Sequence, residues 1–156
     1  MSLSIRPFES RDQDAVRGLI LTGLGEHFGW IDETCNPDLD DIAAHYTELG
    51  HIFVVAEIDG EPVGAAALKT ENARTGRIVR MSVKQTHRGQ GIGRALVTHL
   101  LDVARQCGFV QVYVSTEPDW YDAIRLYTRY GFKARGRDDE DIFFVLHFPE
   151  SPSSST

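Results

Sequence analysis

Residues 83–94, VKQTHRGQGIGR, limit the fold of this chain more than any other stretch. Gly89, Gly91 and Gly93 alternate between a strand-like run that ends at Val83 and an amphipathic run that opens on Gly93. Glycine has no Cβ, so backbone N–H groups can crowd around one point. Leu96, Val97, Leu100, Leu101 and Ala104 then recur at helical spacing, and Gly108 ends the run. Val110, Val112 and Val114 alternate as in a half-buried strand. Strand, helix and strand in this order predict a right-handed crossover between parallel neighbours. The helix N-terminus adds unpaired N–H groups and partial positive charge. The junction is therefore expected to be an anion site suited to a pyrophosphate, with Arg88 and Arg94 as counter-charges; a plain strand-to-helix turn with glycine caps is the alternative.

The other elements surround this unit. A strand is expected over 3–8, followed by a capping-box pattern at 10–13 and a helix with Val16, Leu19, Ile20 and Leu24 on one face. A loop carrying His27, Phe28 and Trp30 comes next. Asn36-Pro37 predicts a second helix, capped on Asn36, with Leu39, Ile42, Ala43, Tyr46 and Leu49 as its stripe and Gly50 as its stop. Strands over 51–58 and 61–69 flank the hairpin turn Asp59-Gly60, and a further strand covers 77–84. The crossover strand is expected over 109–116, a helix over 120–130, and a closing hairpin over 132–137 and 141–148. This order predicts a mixed α/β domain of three layers, with helices on both faces of one mostly antiparallel, seven-stranded sheet.

Composition narrows the function. The 156 residues have ordinary apolar (42%) and charged (25%) fractions, so one domain over 1–150 is expected, with 151–156 as a disordered tail. A net charge of -7 argues against a nucleic-acid partner. No apolar run approaches the roughly 20 residues that span a bilayer, and the N-terminus lacks a signal-peptide pattern. Two cysteines without CxxC spacing exclude a disulfide scaffold, and a cytoplasmic location is expected. The six histidines lack ligand spacing, so no metal is expected; 138–141 (DDED) reads as a solvated hairpin tip.

The glycine loop does not match the dinucleotide fingerprint, because the sixth position counted from Gly89 is Arg94. No Gly-Lys pair exists for a phosphate loop of the Walker type. What remains is Arg88-x-x-Gly91-x-Gly93, and further on Ala123-x-x-Leu126-Tyr127-x-x-x-Gly131-Phe132. With both motifs in this order, the sequence resembles the GNAT superfamily of acyl-CoA N-acetyltransferases over about residues 3–148. The resemblance implies a GNAT-like fold and acetyl-CoA as co-substrate. It implies that the two parallel strands splay apart, that the pantetheine arm pairs with Met81, Ser82 and Val83, and that the pyrophosphate meets Arg88, Gly89, Gln90, Gly91, Ile92, Gly93 and Arg94. A backbone N–H near Met81 or Val83 would face the developing oxyanion. Tyr127 matches the tyrosine that protonates the departing thiolate; the residues alone equally allow a core tyrosine.

Two positions depart from the family pattern. The strand 77–84 carries no carboxylate, so the amine is deprotonated through water to Glu117, Asp119, Glu26 or His27, or arrives already neutral. Trp120 stands where the second motif often has asparagine.

Charge is segregated along the chain. Residues 18–68 hold ten Asp or Glu and no Lys or Arg, whereas 72–101 hold six Lys or Arg and no acid. The basic segment suits a phosphate-bearing co-substrate, and the acidic one a cationic acceptor; solvated helix faces would give the same acids. His27, Phe28, Trp30 and Tyr46 are candidates for the acceptor pocket or for loop packing. The expectation is an acetyltransferase for a small-molecule amine, with neither nucleic acid nor membrane as partner and a homodimer compatible with the reading. Acetylation of a protein N-terminus or lysine, and non-catalytic acyl-CoA sensing, are the alternatives.

Overall fold

The computed structural model describes residues 2–28 and 36–149, with the side chains of 26–28 outside that description. Seven strands form one sheet: β1 (Leu3–Pro7), β2 (Ile52–Ile58), β3 (Glu61–Asn72), β4 (Thr75–Val83), β5 (Gln111–Thr116), β6 (Lys133–Arg137) and β7 (Ile142–His147), in the order β1-β2-β3-β4-β5-β7-β6. Every neighbouring pair is antiparallel except β4 with β5. Helix α3 (Ile92–Gln106) connects that parallel pair, as the glycine-loop pattern predicts.

The side-chain period of two sorts the sheet into faces. Val54, Ala66, Leu68, Ile78, Val112, Val114 and Phe144 pack with the apolar stripe of α3 and with α4 (Tyr121–Arg129). Phe53, Val55, Ala65 and Ala67 point the other way, against Val16, Ile20 and Leu21 of α1 (Gln13–Phe28) and against Leu39, Ile42 and Tyr46. Two cores thus sandwich the sheet, which is the three-layer mixed α/β architecture expected. The Asp59-Gly60 hairpin forms as read, with φ of 52° and 81°.

Two expectations change. The second helix is not continuous: Pro37–Asp40 is a 3-10 turn, α2 is only Ile42–His45, and Thr47–Leu49 is 3-10 again. Asp41 breaks the run at φ -150°, ψ 85°, and its carboxylate accepts from the Ala44 N–H at 3.1 Å, so the cap falls there and not on Asn36. Gln13 stitches the break, donating to the Leu39 carbonyl at 2.7 Å and accepting from the Ile42 N–H at 2.9 Å. The expected stripe still points inward, but tertiary bonds replace helical ones. At the first helix the capping position moves from Ser10 to Glu9, whose N–H donates to the Asp12 carboxylate at 2.9 Å. A 3-10 turn, Ser10–Asp12, then leads into α1. The expected tail 151–156 lies outside the described residues. Among the described residues no helix is long and apolar enough to cross a membrane, and no cluster of metal-ligating side chains occurs.

Candidate active site

β4 and β5 pair for only three residues, Thr75–Gln111 through Arg77–Tyr113, although β4 runs on to Val83 and β5 to Thr116. The register of β4 against β3 shifts between Val79 and Ser82, which inserts one extra residue into β4. Arg80 occupies this bulge at φ +58°, one of two described non-glycine residues with positive φ. A bulge bends and twists its strand. Pairing with β5 has already ended at Arg77, and beyond the bulge β4 stays with β3. The Lys84 N–H donates to the Val63 carbonyl at 2.8 Å, so by alternation the backbone groups of Met81 and Val83 point away from β3. They face the opening.

The opening is a cleft of about 1090 Å³. Its lining includes Met81, Ser82, Val83, Arg88, Gly89, Gly91, Ile92, Gly93, Arg94 and Tyr127, every expected co-substrate-binding residue except Gln90, together with the expected proton donor. Gln90 is exposed and outside the lining. Gly91 is the N-cap of α3 at φ +85°, a conformation that costs other residues energy, and no side chain caps the first turn. That turn contains no acid but does contain Arg94, a cation at the positive end of the helix dipole. Arg94 makes no ion pair among the described residues. A polyanion over the first turn removes this electrostatic conflict, so the donors present fit a pyrophosphate. The Arg88 Nε donates to the Val83 carbonyl at 3.1 Å, which ties the loop to the end of β4.

Tyr127 comes from α4. It is buried, packs edge-on against Phe132 at 5.6 Å, and lines the cleft. Burial pushes its phenol above the ordinary tyrosine range, so the proton stays on oxygen. Helix α4 is fixed against α3 by Tyr130, whose hydroxyl donates to the Arg94 carbonyl at 2.8 Å and lies 2.7 Å from the Thr98 hydroxyl. Thr116, at the end of β5, is buried in the lining, and its hydroxyl has no hydrogen-bond partner among the described residues.

Among the carboxylates considered for the base, Asp119 lines the cleft and Glu117 does not. Both take part in polar or electrostatic interactions. The side chains of Glu26, His27 and Phe28, and all of Trp30, lie outside the described residues. Tyr46 is not part of the cleft wall. It is 4% exposed, packs edge-on against Phe53 at 5.1 Å, and donates to the Asp38 carboxylate at 2.6 Å. Its apolar spacing was legible, but its partners come from distant strands.

The charge segregation is partly internal pairing. Arg80 meets Asp38 through Nη2 at 2.6 Å and Nε at 3.0 Å, and Lys84 meets Glu61 at 2.5 Å. The basic segment therefore sends only part of its charge to the cleft. Residues that sequence reasoning missed are Ile20, Gly23 and Leu24 of α1, together with Arg80, Ser115 and Thr116. Gly23 carries the one available signal: a Cβ there would sit 3.0 Å from the Ser82 hydroxyl, so α1 approaches β4 closely.

A model of the acetyltransferase (GNAT) family matches residues 20–132. The chain is 38% identical over 112 residues to N-acetyltransferase family 8 member 2 of Rattus norvegicus, covering 69% of this chain and 50% of that protein. It thus spans about half the length of that relative. A GNAT-family acetyltransferase of Staphylococcus aureus Mu50 superposes with a TM-score of 0.86 at 20% identity, covering 94% of this chain and 99% of the other. The PaiA N-acetyltransferase of Thermoplasma acidophilum, solved in complex with coenzyme A, gives 0.83 at 16% identity, covering 95% and 100%. The split strand pair, the glycine loop and the family match agree: the chain belongs to the GNAT acetyltransferase family.

Proposed function

We propose that this chain transfers an acetyl group from acetyl-CoA to the primary amine of a small molecule, by direct attack in a ternary complex. The parting of β4 from β5 between the glycine loop and Tyr127 carries this reading. Acetyl-CoA supplies a thioester whose carbonyl carbon is open to a neutral amine. Gly89, Gly91 and the first turn of α3, with Arg94, hold the pyrophosphate. Backbone groups of Met81 and Val83 hold the arm and donate to the carbonyl oxygen as it gains charge. As the C–N bond forms and the C–S bond breaks, Tyr127 gives its proton to sulfur. The extra proton of the amine leaves through water, for which Asp119 is a lining carboxylate. Apolar Ile20 and Leu24 in the cleft wall favour a compact acceptor with an apolar portion.

Acetyl-CoA at about 100 times its Kd should add about 2.7 kcal/mol of stability, read as a rise in Tm. Gly91→Asp, which places a carboxylate in the anion site, should abolish the rise while the chain still folds. A screen of amines and peptides with thiol detection then identifies the acceptor. An unchanged rise in Gly91→Asp would remove the co-substrate from this loop. Turnover of peptides alone would replace the small amine with a protein terminus or lysine.

A further inference from the structure

The bulge in β4 is held from outside the sheet. Arg80 has φ +58°, a region that side chains with a Cβ rarely occupy. Its guanidinium is not extended into the cleft as a free cation. It closes side-on over the Asp38 carboxylate, at 2.6 and 3.0 Å, and both side chains are about four-fifths buried. Tyr46 donates to the same carboxylate at 2.6 Å, and the Tyr46 ring is locked in the core against Phe53. Asp38 belongs to the 3-10 turn Pro37–Asp40, so the arrangement ties this connection to the bulged residue of β4. Strained backbone of this kind persists only where surrounding contacts over-determine it, and such sites cluster where geometry serves function.

We propose that Asp38, buttressed by Tyr46, is a positioning residue: by clasping Arg80 it holds the β4 bulge, and the bulge sets the direction of the Met81 and Val83 backbone groups toward the thioester. The proposal rests on the acetyl-transfer reading above. The clasp acts through the backbone and makes no contact with the pyrophosphate loop, so it separates binding of the co-substrate from alignment of its carbonyl. Asp38→Ala leaves Arg80 without its partner, and φ can relax to negative values. Glycine holds positive φ without any clasp. Arg80→Gly should therefore restore in the backbone what Asp38→Ala removes, although the ion pair is gone.

The test uses acetyl-CoA labelled with 13C at the thioester carbonyl, whose NMR shift reports the hydrogen bond to that oxygen. In the wild type the bound signal should move away from that of free acetyl-CoA. Asp38→Ala should lose most of that displacement while acetyl-CoA still binds at saturating concentration through the intact pyrophosphate loop, any loss of affinity being confined to the arm contacts of Met81 and Val83. The double variant Asp38→Ala/Arg80→Gly should recover at least half of it. Should Asp38→Ala not fold, Arg80→Gly against Arg80→Val poses the same question, because both lack the charge and valine disfavours positive φ. Glycine should keep the displacement and valine lose it. Normal binding with the full wild-type displacement kept in Asp38→Ala, or loss of the displacement in Arg80→Gly, overturns the clasp alone. No binding of acetyl-CoA by the wild type overturns the acetyl-transfer reading and the clasp with it.

Discussion

Tyr127 is a single side chain that packs in the core and also lines the cleft. Its ring sits at 65° to Phe132, and it is 3% exposed. Tyr127→Phe keeps this packing and removes only the oxygen. Turnover with a true acceptor should fall by about 10² to 10⁴-fold, with acetyl-CoA affinity nearly unchanged, as for a group that acts in the transition state. Wild-type kcat in Tyr127→Phe would reduce the residue to core. The residue scale also shows where strain is stored: positive φ at a non-glycine residue costs roughly 1–2 kcal/mol, and Arg80 bears it beside a site. The glycine-loop residues were legible because their conformation follows from having no Cβ. Arg80 was not, because arginine carries no preference for a bulge.

At the scale of elements, β4 and β5 must meet before they can part. Their short pairing is tight: a Cβ at Gly76 would lie 2.9 Å from Leu68 and from the Phe109 ring. Gly76→Ala should overpack this junction and cost about 1–3 kcal/mol, measured by urea unfolding. An unchanged midpoint would mean that Phe109 swings aside freely. Helix α3 was readable because its buried face is long and regular, with Leu96, Val97, Leu100, Leu101 and Ala104 all buried. The connection over 37–49 misled for an instructive reason. Its apolar spacing reports which side faces the core, and a chain of short helical turns presents the same side as a continuous helix. What broke it was the Asp41 cap and the Gln13 bridge, and the bridge is 26 and 29 residues away in sequence from its partners.

For the molecule as a whole, two largely buried carboxylates contribute to the response to acid. Arg6 donates to Asp12 at 2.7 and 2.8 Å and holds its carboxyl below the usual 3.8. Burial works against ionisation of Asp38, but the Arg80 and Tyr46 hydrogen bonds outweigh it and hold that carboxyl low as well. Both groups bind protons more weakly folded than unfolded. Their stabilisation is therefore full above the unfolded carboxyl value and is lost as pH falls below about 4 through the folded values. Tyr46 is raised to about 12 by burial and by Asp38, so its share is full below the ordinary 10 and is lost as pH rises from 10 through 12. Urea midpoints across pH should fall at both ends, and Asp38→Asn should flatten the acid limb. An acid limb identical in Asp38→Asn would remove Asp38 from the balance.

The order of strands and helices, the parallel crossover and the glycine loop were legible in the residues because each rests on local chemistry: periodicity, missing Cβ atoms and free N–H groups at a helix start. The place where β4 parts from β5, after Arg77, the bulge at Arg80, and the reach of Asp38 to it across 42 residues of chain came from the folded chain. Those outcomes depend on contacts between segments distant in sequence, and a contact of that kind leaves no periodic mark on either partner.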